Sequence, residues 1–409
     1  MAISVSLVAV LTTCSLTPRA SSLASEVAEA AAHVEQRDGL RVVFLEGSPY
    51  EIGHQHGQLL ADDVRATVGR TLGYLRSYLK VPLVDRLAAN WWLDRSWKQS
   101  RPHVPAAYLE ELRGLADGSG VPLRELWRLH AIPDRTYACS GFVAWGRATA
   151  DGRLIHTRNL DWNFAIGIQR QAAVFVVRPS GAHAFVNLGW AGFVGVLTGI
   201  NDQGLSIGQI GAETAEVSYR GVPMVFLMRN VLEQAGDVET AIGVIQAARR
   251  TVGANYLIGD ARARRGVAVE TTRRRAVAFE ADDPREHAVG YARPMPDVVL
   301  RADTAVDPQI RDRQLASDGD PRRRGLEPPG GSAYEIRYLG QASGISAEYG
   351  RITPEAARLI MRTVAPESNI QSVIFAWPEL WIANADGTTR AAHTTYHRLE
   401  LPALFGQQE

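Results

Sequence analysis

The sequence predicts an α+β fold: two stacked β-sheets covered by helices on both outer faces, a four-layer αββα sandwich, preceded by an α-helical segment. Three observations carry that expectation. Apolar residues recur at helical spacing up to about residue 132, the period changes to that of strands at Cys139, and strand blocks then alternate with helix blocks to the end.

Residues 1–30 open with an apolar run, Ala2 to Leu11, followed by small residues such as Ala20 and Ala24. This resembles a signal peptide without its usual basic start, and Leu11-Thr12-Thr13-Cys14 approximates a lipoprotein attachment site. Export, lipid anchoring and a cytoplasmic location all stay open. From Tyr50 to Lys80, Ile52, His56, Leu60, Val64, Val68, Leu72 and Leu75 trace one face of a long amphipathic helix. Leu109, Leu112 and Leu115, then Leu123, Leu126 and Leu129, predict two shorter helices on either side of Gly118-Ser119-Gly120.

After Cys139, short runs at 142–145, 154–160, 173–177, 184–188, 195–200 and 205–210 read as strands, with Asp151-Gly152 as a hairpin turn. Helices follow at 223–235, opened by Pro223, and 238–248, capped by Asp237. Strands at 255–258, 267–271 and 276–280 come next. Residues 282–332, rich in Asp, Arg, Pro and Gly, read as a charged surface excursion with at most one helix near 310–316. A helix at 354–363 and strands at 371–376 and 380–383 complete the pattern. The expected organisation is therefore a leader at 1–30, a helical pro-segment at 31–138 and a catalytic domain at 139–409.

Forty-four basic residues balance forty-four acidic ones in a chain that is 46% apolar, so no global field recommends nucleic acid as a partner. No apolar stretch after the leader reaches the roughly 18 to 20 residues that a membrane-spanning helix needs. With only Cys14 and Cys139 there is no disulfide framework. His54 and His56, two residues apart, fall on different faces of a helix, which argues against a metal site, and no cofactor is implied. Trp91, Trp92, Trp97, Trp162 and Trp190 read as core residues, some of which could wall a substrate pocket.

A lone cysteine is by itself more often a small buried apolar group than a nucleophile. Its position is what singles Cys139 out. A cysteine that opens the first strand of a β-rich region becomes an N-terminus if the preceding bond is cut, and a free α-amine, with a pKa near about 7.7, can serve as base for its own side chain. Cys139 and the run Arg158-Asn159-Leu160-Asp161 resemble the signature of the linear-amide carbon-nitrogen hydrolases, a superfamily of N-terminal-nucleophile enzymes that includes choloylglycine hydrolases and acid ceramidases. Within it, the segment from Gly47 to Gly57, the turn Asn201-Asp202-Gln203-Gly204-Leu205, and Asn255-Tyr256-Leu257 with Asp260 and Val269-Glu270-Thr271 are most similar to the acyl-coenzyme A:6-aminopenicillanate acyltransferase branch. Ala138 and Ser140 depart from the Gly and Thr common at those positions.

The resemblance implies the sandwich fold, self-cleavage between Ala138 and Cys139, a pro-segment that stays with the catalytic chain, and a small-molecule amide as substrate. It implies Cys139 as nucleophile and base, Asp161 holding its amine, and Arg158 favouring thiolate or pairing with Asp161. The Asn255 side chain and a backbone N–H at or beside Asn201 would serve the oxyanion. Trp162 and Ser372 are its candidate substrate contacts. Amide hydrolysis leads; acyl transfer to an amine or coenzyme A uses the same groups, and a catalytically silent binding protein is the third reading.

Overall fold

The computed structural model describes residues 32–77, 81–132, 138–212, 214–315 and 333–407. The leader reading of residues 1–30, Cys14 included, lies outside the described residues, as does the charged run at 320–324.

Two strands, β1 (His33–Arg37) and β2 (Leu40–Gly47), precede five helices: α1 (Pro49–Leu59), α2 (Ala61–Leu75), α3 (Pro82–Ser100), α4 (Ala106–Ser119) and α5 (Leu123–His130). Six strands follow: β3 (Ala138–Ala144), β4 (Ile155–Asp161), β5 (Ala172–Pro179), β6 (Phe185–Trp190), β7 (Thr198–Asn201) and β8 (Leu205–Ile210). Then come α6 (Met224–Gln234), α7 (Val238–Ala247), β9 (Asn255–Asp260), β10 (Arg265–Thr271), β11 (Ala276–Phe279), α8 (Pro284–His287), β12 (Val298–Arg301), α9 (Pro308–Leu315), α10 (Ala333–Glu348) and α11 (Pro354–Val364). The described chain closes with β13 (Asn369–Ala376), β14 (Glu379–Asn384), β15 (His397–Glu400) and α12 (Leu401–Phe405).

The strands form a nine-stranded sheet, β1-β2-β5-β6-β7-β8-β9-β10-β11, and a six-stranded sheet, β12-β3-β4-β13-β14-β15. They pack face to face through β3 and β4 on β8 and β9. Helices α6 and α7 cover the outer face of the larger sheet, and α10 and α11 that of the smaller, giving the expected four layers. Sandwiched strands bury both faces, so β4 is buried at every position and shows no polar alternation.

Local chemistry sets the helix starts. Ser48 and Glu51 form a reciprocal capping box ahead of α1, with Pro49 in its first turn. Asp237 caps α7 through the N–H of Thr240 at 2.7 Å, as its sequence position predicts.

Three expectations need correction. The helix read over 50–80 is two, because Leu60 leaves the helical conformation at φ −127°, ψ 31° while staying buried, so the apolar period runs through the break. The segment read as a helical pro-segment is not purely helical: β2 pairs in parallel with β5, Val42 against Val174, which places it within the nine-stranded sheet. Its run Arg41 to Leu45 lacks alternation because it is sandwiched, and such a run is silent to periodicity. Nor is 282–332 mere surface decoration: β12 pairs with β3 along Val298 to Arg301, and Arg301, Asp303 and Asp307 are buried in the part that is described.

Helices α1 and α4 meet backbone to backbone across Gly53, Gly57, Gly114 and Gly118. A Cβ at Gly114 would stand 2.1 Å from the Tyr50 carbonyl oxygen, and one at Gly53 would stand 1.9 Å from that of Glu111. Neither backbone can yield without separating the helices. Gly114→Ala is expected to destabilise the protein by about 1–3 kcal/mol or more. Gly73→Ala, with open space around the added methyl, should be neutral or mildly stabilising. Thermal melting of the two variants side by side checks the contrast.

Candidate active site

Cys139 is the second residue of β3, opposite Leu160 of β4, and is fully buried. Antiparallel pairing of the two strands sets the side-chain directions. Cys139 and Arg158 face the larger sheet, while Ser140, Asn159 and Asp161 face outward beneath α10 and α11. The two faces converge where β3 begins.

On the inner face, Arg158 Nη2 donates to Cys139 Sγ at 3.1 Å and to Gln209 Oε1 at 3.3 Å. Its Nε donates to the Gln209 carbonyl at 2.8 Å, and its Nη1 to Thr198 Oγ1. The thiol itself lies 3.5 Å from Gln209 Oε1 and accepts the backbone N–H of Asp161. Burial pushes the Cys139 thiol up to about 12, with Arg158 pulling the other way. Cys139 is therefore a thiol in the intact chain: Arg158 pulls in the expected direction, toward thiolate, but does not outweigh burial.

At the start of β3 the backbone N–H of Cys139 donates to Asp303 Oδ1 at 2.7 Å. Arg337 of α10 joins this carboxylate to Asp161: Nη1 meets Asp303 Oδ2 at 2.8 Å, and Nη2 meets Asp161 Oδ2 at 2.7 Å and Ser140 Oγ at 3.0 Å. Asn369 Nδ2 completes Asp161 at 3.1 Å from Oδ1. Burial raises both carboxyls against the pull of Arg337, Asp303 to about 7. Burial also works against the Arg337 charge, yet Asp161 and Asp303 outweigh it and hold its pKa above the ordinary value.

The anticipated residues divide. Cys139, Arg158 and Asp161 converge, but Asp161 pairs with Arg337 rather than Arg158, because positions three apart on a strand face opposite ways. The side chain on the Cys139 nitrogen is Asp303, not Asp161. Asn255 borders the site at one remove: its Nδ2 donates to the Thr304 carbonyl at 3.0 Å, next to Asp303. Asn201 does not reach it. It lies three residues along β7 from Thr198, about 10 Å at strand rise. Its side chain is spent on the Leu232 and Ala235 carbonyls and on the N–H groups of Gln203 and Leu205. Ser372 pairs with Asn159 on the outer face and bonds Asn159 Oδ1 at 2.6 Å and the Tyr396 hydroxyl, away from the thiol. Trp162 follows Asp161 and lines a cavity of about 350 Å³ with Thr71, Tyr74, Leu75, Ile132, Asn163 and Ile166. Of the pro-segment tryptophans, Trp97 is buried, Trp92 half-buried and Trp91 exposed, so the core reading fails for Trp91.

The sequence reading missed Asp303, Arg337, Gln209 and Asn369. One signal pointed to Arg337: it shares a helical face with the buried Tyr338, Gln341, Ala342 and Ile345, where a lone arginine needs a buried partner.

A family model described as acyl-coenzyme A:6-aminopenicillanic acid acyl-transferase matches residues 148–289. Protein dcd1B of Dictyostelium discoideum is 25% identical over 281 residues, covering 64% of this chain and 56% of its own length. Acid ceramidase of Rattus norvegicus is 25% identical over 269 residues, covering 59% and 66%. By these matches the chain is similar to the acyl-coenzyme A:6-aminopenicillanic acid acyl-transferase family and to curated amide hydrolases. Among solved structures, the Caenorhabditis elegans ortholog of N-acylethanolamine-hydrolyzing acid amidase shares 15% identity at a TM-score of 0.44, over 64% of this chain and 100% of that one. The chain spans about half the length of the first curated relatives it matches, from 42% to 61%. The family match says nothing of Asp303 or Arg337, since it ends at residue 289. Among the described residues no group of His, Cys, Asp and Glu could hold a metal ion, and no helix is long and apolar enough to cross a membrane.

Removing Arg337 would leave two buried carboxyls without their cation. Arg337→Met is expected to cost about 3–5 kcal/mol at neutral pH and above. Without Arg337 both folded pKa values rise further above the ordinary 3.8, so the penalty grows as pH climbs past 7 and shrinks as the carboxyls take up protons below it. Denaturant titrations at pH 5 and pH 8.5 measure the difference.

Proposed function

We propose that this protein is a self-processing cysteine amidase. Cys139 Sγ attacks the Ala138 carbonyl, the chain opens before residue 139, and the freed Cys139 then attacks the carbonyl of a linear amide. The acyl group passes through a thioester to water. The observation that carries this reading is the convergence on one residue of a guanidinium at the sulfur, 3.1 Å away, and a carboxylate at the nitrogen of the bond to be cut, 2.7 Å away. The printed names of relatives, acid ceramidase and N-acylethanolamine-hydrolyzing acid amidase, support amide chemistry.

The cavity beside Trp162 supports an apolar acyl group as the part recognised, since Leu75, Ile132, Trp162 and Ile166 dominate its wall. Thr71, Tyr74, Leu75 and Ile132 come from before the cut and the rest from after it, so both segments would build the pocket.

Such a pocket requires the pro-segment to stay. Arg229 of α6 favours this: it binds Glu111 of α4 at 2.7 and 2.6 Å and Glu233 at 2.8 Å, and Glu233 accepts the Tyr108 hydroxyl at 2.7 Å, with Arg229, Glu111 and Tyr108 buried and Glu233 partly so. His56 and His130 add two contacts, each accepting an N–H at 3.0 Å, from Gly192 and Val194 respectively. Burial pulls their pKa values down, to about 3 and about 4. A folded value below the ordinary 6.5 means that this stabilisation is complete above about pH 6.5 and is lost as pH falls toward 4.

Two measurements test the reading. Intact mass of purified wild type should give a fragment beginning at Cys139, absent from Cys139→Ala, and only the wild type should hydrolyse N-acyl amides with apolar acyl groups. An uncut, inactive wild type would sink it. Size-exclusion chromatography of the cut protein should keep both fragments together at pH 8 and release the pro-segment between pH 6 and 4.

A further inference from the structure

The bond proposed to break has two ends, and Arg158 serves only the sulfur that attacks. Its nitrogen is the leaving atom. An amide nitrogen departs only with a proton, because an amide anion is too basic to be expelled near neutrality. The structure places a carboxyl on that nitrogen: Asp303 Oδ1 accepts the Cys139 N–H at 2.7 Å, and the Gly211 N–H also points at the Asp303 carboxylate.

We infer that Asp303 is the acid of chain cleavage, holding the nitrogen of the Ala138–Cys139 bond and delivering to it the proton that lets it leave; this rests on the cleavage reading above. As the Sγ–C bond to the Ala138 carbonyl carbon forms, the thiol proton passes to the developing oxyanion and the Asp303 carboxyl gives its own proton to the nitrogen. The C–N bond then breaks as the carbonyl re-forms, and the proton released from that oxygen passes to the departing amine, so that a thioester, an ammonium and the Asp303 carboxylate account for every proton. Water next cleaves the thioester to the Ala138 carboxylate and the Cys139 thiol. Asp303 ends beside the new amine, as its counter-ion.

The alternatives are poorly placed. Both Asp161 oxygens are taken, by Arg337 and Asn369. Arg158 is bonded to the sulfur and to Gln209, not to the nitrogen, and Gln209 has no proton to exchange. His156 bonds Ser206 at 2.8 Å, and burial together with Arg158 holds it at about 3, so it is neutral. Of the titratable side chains among the described residues, Asp303 is the one bonded to the Cys139 nitrogen.

The loop is built to hold it there. Glu270 accepts the N–H groups of Val306 and Asp307, each at 2.8 Å, and is bound by Arg301 Nε at 2.6 Å. Arg301 also meets Glu286 at 2.6 Å, Gln314 accepts the Ala305 N–H at 2.8 Å, and Asn255 holds the Thr304 carbonyl. Asn255 and Glu270, singled out in the sequence, thus brace the loop that carries Asp303. The charges facing Asp303 are Arg337 from α10, Asp161 from β4 and the Cys139 thiol of β3. Burial pushes its carboxyl up to about 7, Arg337 opposing, so near neutrality both the donating and the accepting forms are populated.

The test follows cleavage of full-length chains by intact mass after refolding from denaturant, from pH 5 to pH 9, for wild type, Asp303→Asn, Asp303→Glu and Cys139→Ala. Asp303→Asn keeps an acceptor for the N–H but carries no proton. It should fold with the wild-type circular dichroism yet cleave slower by on the order of 10²-fold or more. Hydroxylamine, which captures thioesters, should not speed it up, because the C–N bond breaks before any thioester exists. Asp303→Glu should cleave measurably with a displaced pH profile, and decides the matter if the Asn variant fails to fold: cleavage at the wild-type rate with an unmoved profile overturns the assignment. So does wild-type cleavage by Asp303→Asn, with the cleavage reading intact. An uncut wild type, matching Cys139→Ala, overturns both.

Discussion

Everything at this site leans on Arg337. Its guanidinium spans two buried carboxylates, Asp161 at the end of β4 and Asp303 in the loop after β12, and touches Ser140 between them. Without a shared cation, two acids so close could not both hold charge in a dry interior. With it, one fixes the outer face of the hairpin and the other is brought to the nitrogen of Cys139. Since Arg337 lies on α10 and its partners on the six-stranded sheet and its connecting loop, the position of one helix sets the geometry at both ends of the cysteine.

The second constraint is the weld between the segments on either side of residue 138. Three kinds of interaction cross it: β2 pairs with β5 by backbone hydrogen bonds, Arg229 is buried between Glu111 and Glu233, and two neutral histidines accept N–H groups from the β6–β7 connection. These act differently under changing conditions. The strand pairing is indifferent to pH, the ion cluster fails if either acid is protonated, and the histidines fail when they gain a proton. A cut before Cys139 would leave all three in place at neutral pH. On the proposed reading, cleavage thus alters the chemistry of one residue without dismantling the fold that positions it.

How far the sequence revealed this depended on how each signal is encoded. Wherever a strand or helix had a regular apolar pattern and a turn residue at its end, as in the hairpin through Gly152 or α7 behind Asp237, its place could be read. Elements buried on both sides, such as β2, give no alternation, and a break that keeps its residue buried, as at Leu60, leaves the helical period unmarked. Within the site, Cys139, Arg158 and Asp161 were legible because they lie together on one hairpin. Asp303 and Arg337 come from more than a hundred residues later, beside a stretch whose composition reads as solvated. No local pattern announces that two charges will find each other inside. Asn201 is a different case: its Asn-x-x-Gly-Leu pattern encodes a turn and its side chain is used in building that turn, whereas the expectation concerned a backbone N–H at or beside it.

The high thiol pKa in the uncut chain then acquires a meaning. Burial, helped by Asp303 and Asp161, pushes the Cys139 thiol up to about 12 against the pull of Arg158, while the nitrogen of Cys139 is a neutral amide. Cleavage as proposed would replace that neutral nitrogen with an amine whose ordinary pKa, about 7.7 to 8.0, puts a positive charge within a few bonds of the sulfur. Asp303 and Asp161 would favour the charged amine, and the charged amine would favour thiolate. The electrostatics that hold the sulfur as a thiol before the cut are thereby reversed by the product of the cut. Activation would need no rearrangement of the sandwich, only the exchange of an amide for an ammonium at a position already enclosed by Arg158, Arg337 and two carboxylates.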